Sequence, residues 1–238
     1  MLRDTLERVR ARIERACQRC GRPPSAVTLI AVTKGIAVEA MREAIALGLS
    51  DIGENRVQEA RDKHAQLSRG ARWHLIGHLQ RNKAKDALEL FDVIHSVDSV
   101  PLIEELERRA AERIPGPGST VEGQGNRKEI FVQVNVSGEM SKFGCKPDEA
   151  LALCGTMRQQ SHLHLRGLMT IAPWSDDPER ARPHFRALRL LRDAASAALS
   201  LPPRTLNLSM GMSQDFEVAI EEGADFVRIG TALFGTRP

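Results

Sequence analysis

Lys34 is the residue of this chain best placed for covalent chemistry. It closes an apolar run, Leu29-Ile30-Ala31-Val32-Thr33, so its amine sits where a strand ends and water is partly excluded. Desolvation disfavours the charged ammonium and favours the free amine that condenses with a carbonyl. A lysine that merely snorkels to solvent is the plainer reading of the same segment. Two stretches near the other end of the chain help decide between them. Residues 208–213 (Leu-Ser-Met-Gly-Met-Ser) and 226–232 (Phe-Val-Arg-Ile-Gly-Thr-Ala) each run from apolar residues into small ones and a hydroxyl. Gly211 and Gly230 let the backbone approach a ligand, and a helix start after each offers N–H donors to an anion. The two ends together read as a phosphate cradle.

An amine and an anion site in one pocket suit an aldehyde cofactor that carries a phosphate, and pyridoxal 5'-phosphate is that cofactor. Arg228 refines the reading, because it is a lone charge inside an apolar strand. A buried arginine is costly unless it meets an acceptor. Facing a pyridine nitrogen it can only donate, so the nitrogen stays unprotonated and the ring is a weak electron sink. That argues against aminotransferase or decarboxylase chemistry. The competing reading pairs Arg228 with Asp225 or Glu222.

These residues need a scaffold that gathers strand ends. Short apolar runs fall at 27–32, 51–52, 72–76, 92–95, 130–136, 163–169, 205–208 and 226–229, with helical patterns near 38–47, 56–67, 80–90, 99–113, 147–160, 179–199 and 213–222. Such alternation implies βαβ units and a parallel sheet. Eight strands in 238 residues fit a single α/β domain over 1–238, a (β/α)8 TIM barrel, a fold of ~250 residues whose sites lie at the C-terminal strand ends. Those ends carry Lys34, Glu54 and Asn55, His74 and His78, His95, Asn135, Thr170, Ser209 and Arg228. Residues 4–20 read as an extra N-terminal helix with Leu6, Val9, Ile13 and Cys17 on one face, opened by an Asp4/Glu7 capping box. Seven helices follow strands, so this first helix is expected to cover part of the gap after the eighth.

Other motifs carry less. Glu54 reads as a general base, a helix cap or a partner of Arg56. His74 and His78 lie on a strand running into a loop, not on one helix face, and no metal site is expected. Cys17-Gln-Arg-Cys20 reads as the end of an amphipathic helix, since no second ligand pair stands at zinc spacing. Residues 115–126, rich in Gly and Pro, read as a mobile loop on the N-terminal face. A formal charge of +3 argues against nucleic acid as a partner. No apolar run approaches the roughly 20 residues that span a bilayer, and no signal peptide is evident. A cytoplasmic, monomeric protein is expected, and the four cysteines suit free thiols.

Seven segments resemble the YggS/PROSC family of pyridoxal phosphate homeostasis proteins: 31–34 (Ala-Val-Thr-Lys), 52–59, 73–83, 134–144, 165–169, 208–213 and 227–235. The resemblance implies the alanine-racemase-like barrel of fold type III. It implies that Lys34 holds the cofactor as an internal aldimine and that Asn55 lies near the ring. Ser209, Met210, Gly230 and Thr231 would hold the phosphate, with Gly211 in the same loop, and Arg228 would meet the pyridine nitrogen. Lys142 matches a family lysine proposed to touch a second cofactor molecule. Thr33 stands where many members have serine, the 115–126 insertion is longer than usual, and the segment ending at Pro238 lacks the tail lysines of some members. The implied role is a carrier and buffer that supplies cofactor to apo-enzymes, affects amino-acid and keto-acid balance indirectly and has no catalytic residues of its own. The alternative is a small amino-acid racemase of fold type III. The chain has no tyrosine, and alanine racemase uses one from a second domain as its opposing base, so two-base racemisation lacks a partner.

Overall fold

In the computed structural model, which describes residues 2–67, 70–112 and 127–235, parallel strands close a barrel in chain order. They are β1 (Thr28–Val32), β2 (Asp51–Glu54), β3 (Arg72–Leu75), β4 (Val93–Val97), β5 (Lys128–Gln133), β6 (Leu163–Met169), β7 (Asn207–Ser209) and β8 (Phe226–Ile229). β1 pairs with β2 on one side and with β8 on the other, which closes the ring. β4 and β8 are buried at every residue, as expected of strands covered on both faces. Gly167 is obligatory in β6, because a Cβ there would lie 1.9 Å from the Asn207 carbonyl oxygen of β7.

The helices between strands are α2 (Val38–Ala46), α3 (Val57–His64), α4 (Ala84–Leu90), α5 (Val100–Ala111), α6 (Ala150–Arg158), α7 (Arg182–Ala198) and α8 (Phe216–Glu221). Their apolar faces and the outward residues of the strands form the main core. A smaller cluster of Ile30, Val93, Phe131, Met169 and Phe226 fills the barrel. Among the described residues no helix is long and apolar enough to cross a membrane.

Several element boundaries differ from the sequence reading; β5, for one, runs Lys128–Gln133 rather than 130–136. The first helix, α1 (Leu2–Arg19), starts earlier, so Asp4 sits inside its first turn rather than at the cap. α8 starts at Phe216 rather than at 213, because Asp215 Oδ1 accepts the Met212 N–H at 2.6 Å and holds 212–215 as a turn. A short helix, α9 (Thr231–Phe234), follows β8. α1 packs on both α8 and α9, and Thr5 Oγ1 donates to the Leu233 carbonyl at 2.8 Å. The insertion at 115–126 lies outside the described residues.

Candidate functional site

Lys34 follows β1 directly, and its backbone is held from both sides. Gly35, at φ +69°, turns the chain immediately after it. Thr33 is fully buried; its N–H donates to the Gly53 carbonyl at 2.9 Å and its hydroxyl to Glu54 Oε1 at 2.6 Å. The Lys63 ammonium of α3 donates to the Thr33 carbonyl at 2.6 Å, to Glu54 Oε1 at 2.8 Å and to Glu59 Oε1 at 2.6 Å. Glu59 in turn accepts the Gly35 N–H. Glu54 is therefore neither a helix cap nor a partner of Arg56; it is the buried carboxyl of this cluster. Burial pushes its carboxyl above the usual range even against the pull of Lys63 and Thr33.

The half-buried Lys34 opens into a cleft of about 490 Å³ at the C-terminal mouth, lined also by Trp174, Ser213, Asp215, Arg228 and Thr231. Gly230 lines it as well, and the segment from Pro173 to Ala181 after β6 supplies one wall. Pockets of about 300–1,000 Å³ suit small ligands. Asp215 is buried, which raises its carboxyl, while the nearby Arg228 opposes that rise. Ser213 Oγ accepts the Ala232 N–H at 3.2 Å and so ties the turn before α8 to the start of α9.

Arg228 is 3% exposed. Its Nη1 donates to Ser209 Oγ at 2.7 Å and its Nη2 to the Thr170 carbonyl at 2.7 Å. Burial lowers its guanidinium to about 10, with Asp215 opposing. The proposed ion pairs are not formed: Asp225 pairs with Arg22, and Glu222 with Arg182, Arg186 and Arg189.

Ser209 and Met210 sit beneath the mouth rather than in its lining. The Ser209 hydroxyl also meets His95 Nδ1 at 2.9 Å, and the Met210 N–H donates to the Phe226 carbonyl at 3.1 Å. Gly211, at φ +93°, packs against α8, and its carbonyl accepts the Arg228 N–H at 3.0 Å. Asn55 is half-buried at the end of β2 and does not line the cleft. Its backbone lies so close to Gly77 that a Cβ there would come within 2.2 Å of the Asn55 carbonyl oxygen. Lys142 lies in the loop after β5, outside the cleft lining, with its carbonyl held by Asn135.

His78 stacks on Phe143 at 4.0 Å, while both nitrogens of His74 are engaged inside the barrel, so the two do not form a ligand pair. Among the described residues, no three His, Cys, Asp or Glu side chains gather as a metal site. The four cysteines are free thiols; burial raises Cys17 and pushes Cys145 and Cys154 up to about 12. Sequence reasoning missed Lys63 and Glu59, whose signal was only an i,i+4 acid–base pair on a helix. It also missed Asp215 and Trp174, which sit in loops without periodicity.

Residues 5–238 match the alanine racemase N-terminal domain family. The chain is 41% identical to the pyridoxal phosphate homeostasis protein of Aquifex aeolicus over 98% of this chain and 97% of that one. It is 42% identical to the Pseudomonas aeruginosa protein of the same name, over 98% of this chain and 95% of that one. Among solved structures, PipY of Synechococcus elongatus PCC7942 with PLP bound matches at a TM-score of 0.80 and 36% identity, covering 99% of this chain and 100% of that one. An alanine racemase of Clostridium difficile 630 shares the barrel fold, at a TM-score of 0.74 and 14% identity, with this chain spanning 57% of it. A barrel that matches these proteins along nearly its whole length, with a lysine, a buried arginine and the hydroxyls of Ser213 and Thr231 at one mouth, belongs to the pyridoxal phosphate homeostasis protein family.

Proposed function

We propose that this protein holds pyridoxal 5'-phosphate as a Schiff base on Lys34 and serves intracellular cofactor homeostasis as a carrier and buffer. The observation that carries the reading is the meeting of Lys34, Arg228, Ser213 and Thr231 in one cleft. The donor set fits the cofactor: one amine, one donor-only cation, and hydroxyls in the turn before α8 and at the start of α9 for a phosphate. When bound, the cofactor supplies an aldehyde that condenses reversibly with an amine.

The chain's own residues perform the rest. Lys63 and Glu59 hold the backbone on both sides of Lys34, so its amine is presented without reorganisation. Arg228 presents N–H groups to the ring nitrogen, held in place by Ser209 and Thr170. Gly230, Thr231 and the 212–214 turn hold the phosphate. The Trp174 wall covers one side of the cleft and limits water. No tyrosine is present in the chain to serve as the opposing base of a racemase, which favours storage and delivery to apo-enzymes over turnover. In this reading the protein acts in the cytoplasm as a monomer.

The test is absorption spectroscopy of the purified protein with pyridoxal phosphate, then borohydride reduction and peptide mapping. A yellow band and an adduct confined to Lys34, lost in Lys34→Ala, are expected. No band, or adducts scattered over surface lysines, would refute the cofactor site. Alanine racemisation at enzyme-like rates would refute the carrier role.

A further inference from the structure

Arg228 is one end of a chain of buried polar side chains that crosses the barrel. Arg228 Nη1 meets Ser209 Oγ at 2.7 Å, Ser209 Oγ meets His95 Nδ1 at 2.9 Å, His95 Nε2 meets His74 Nδ1 at 3.0 Å, and His74 Nε2 meets Asp51 Oδ1 at 2.9 Å. Ser209, His74 and His95 are fully buried. Asp51 opens β2, at the end of the barrel opposite the Lys34 cleft, and lines a separate cleft with Arg10, Glu14 and Ser50. Apolar rings clamp the imidazoles: Phe131 stacks on His95 at 4.4 Å, and Phe226 lies 6.2 Å from His74 and 6.0 Å from His95.

The direction of every proton in this chain follows from its two ends. Arginine only donates, and an ionised carboxylate only accepts. Burial keeps both imidazoles below their usual value and hence neutral at neutral pH, although Asp51 opposes this at His74. Burial raises Asp51, but hydrogen bonds from His74 and Ser50 with nearby positive charge outweigh it, so it is ionised. A neutral imidazole has one donor and one acceptor. Asp51 therefore takes the Nε2–H of His74, which leaves His74 Nδ1 as acceptor for the Nε2–H of His95. His95 Nδ1 then accepts the Ser209 hydroxyl proton, and the Ser209 oxygen is left facing Arg228 as an acceptor.

We propose that Asp51 is a positioning residue for the ligand site: through His74, His95 and Ser209 it orients the acceptor that aims Arg228 into the cleft. The ligand half of this proposal rests on the reading that Arg228 meets the bound cofactor. Without the Asp51 acceptor the two imidazoles are free to reverse. The Ser209 hydroxyl then receives protons from both His95 and Arg228, and its own proton must turn elsewhere.

The test uses protein with ¹⁵N-labelled histidine and no cofactor, read by long-range ¹H–¹⁵N correlation. Both His74 and His95 are expected as Nε2–H tautomers. In Asp51→Asn, whose amide can donate as well as accept, the His95 tautomer is expected to become mixed, although His95 does not touch residue 51. A role of Asp51 confined to packing would leave the His95 signal unmoved. An Nδ1–H tautomer at His95 in the unaltered protein, or an unmoved signal in the variant, overturns the proposal, and the first of these needs no variant to fold. The loaded variant should bind pyridoxal phosphate on the order of three- to tenfold more weakly, the range of one hydrogen bond. A shifted tautomer with unchanged affinity overturns the coupling to the ligand. Failure of the unaltered protein to bind the cofactor would instead remove the functional reading, while the tautomers would still judge the chain of contacts.

Discussion

Replacing Lys63 by methionine should expose how much the cluster behind Lys34 contributes to stability. The Lys63 ammonium has three acceptors within 2.8 Å, and Glu54, its buried partner, is fully enclosed. Removing one member of a buried ion pair costs about 3–5 kcal/mol. Glu54 keeps the Thr33 hydroxyl, and Glu59 is partly exposed, so the low end applies, about 3 kcal/mol near neutral pH. For a chain of this size that is a fall of about 6–12 °C in Tm. The sign with pH follows from Glu54, whose carboxyl burial already raises. Losing Lys63 raises it further. At or below the ordinary carboxylate value, about pH 4, both folded and unfolded forms hold the proton and the penalty is small. As pH rises through the raised value, the unfolded chain has released a proton that the folded one still holds, and stability falls. Urea melts of the unaltered protein and Lys63→Met from about pH 5 to 8 should therefore diverge with rising pH. Adding Glu54→Gln should restore most of the loss, a positive coupling in the double-mutant cycle. A loss under about 1 kcal/mol, or a gap that does not change with pH, would refute the argument.

Two further outcomes are expected. Gly167→Ala should lower stability by about 3 kcal/mol, the upper end for overpacking, because its Cβ meets β7 backbone at 1.9 Å; the matched Gly155→Ala in α6, with open space around it, should be neutral or stabilising in the same thermal melt. The two tryptophans differ sharply, Trp73 at 4% exposure and Trp174 at 67% beside the cleft, so pyridoxal phosphate should quench mainly Trp174; equal quenching in Trp174→Phe would place the ligand elsewhere.

The barrel was legible because β/α alternation leaves a local signal at every step. Runs such as 163–169 and 226–229 coincide with strands. Lys34 and Arg228 stood out as charges inside apolar segments, and both line one cleft. What sequence could not reveal is which strand ends face one another across the barrel. Ser209 reads as a loop hydroxyl near a phosphate, yet it is bonded to His95, 114 positions away. Glu54 and Lys63 are nine positions apart on different elements, and only folding α3 onto β2 makes them a pair. The start of α8 was misplaced because a side chain, Asp215, holds the preceding turn in place of a helical pattern.

The closure of the ring has a consequence for the order in which the molecule is made. β1 pairs with β8, and Thr5 grips Leu233, 228 positions away. Lys34 leaves the ribosome well before Arg228, Gly230 and Thr231, which lie far downstream of it. Contacts so distant along the chain form late and fold slowly. The nascent chain thus presents a bare lysine with no pocket around it, and the site matures only when the last strand docks against the first. A chain that stops short of β8 would thus carry Lys34 without Arg228, Gly230 and Thr231, the residues that line the same cleft.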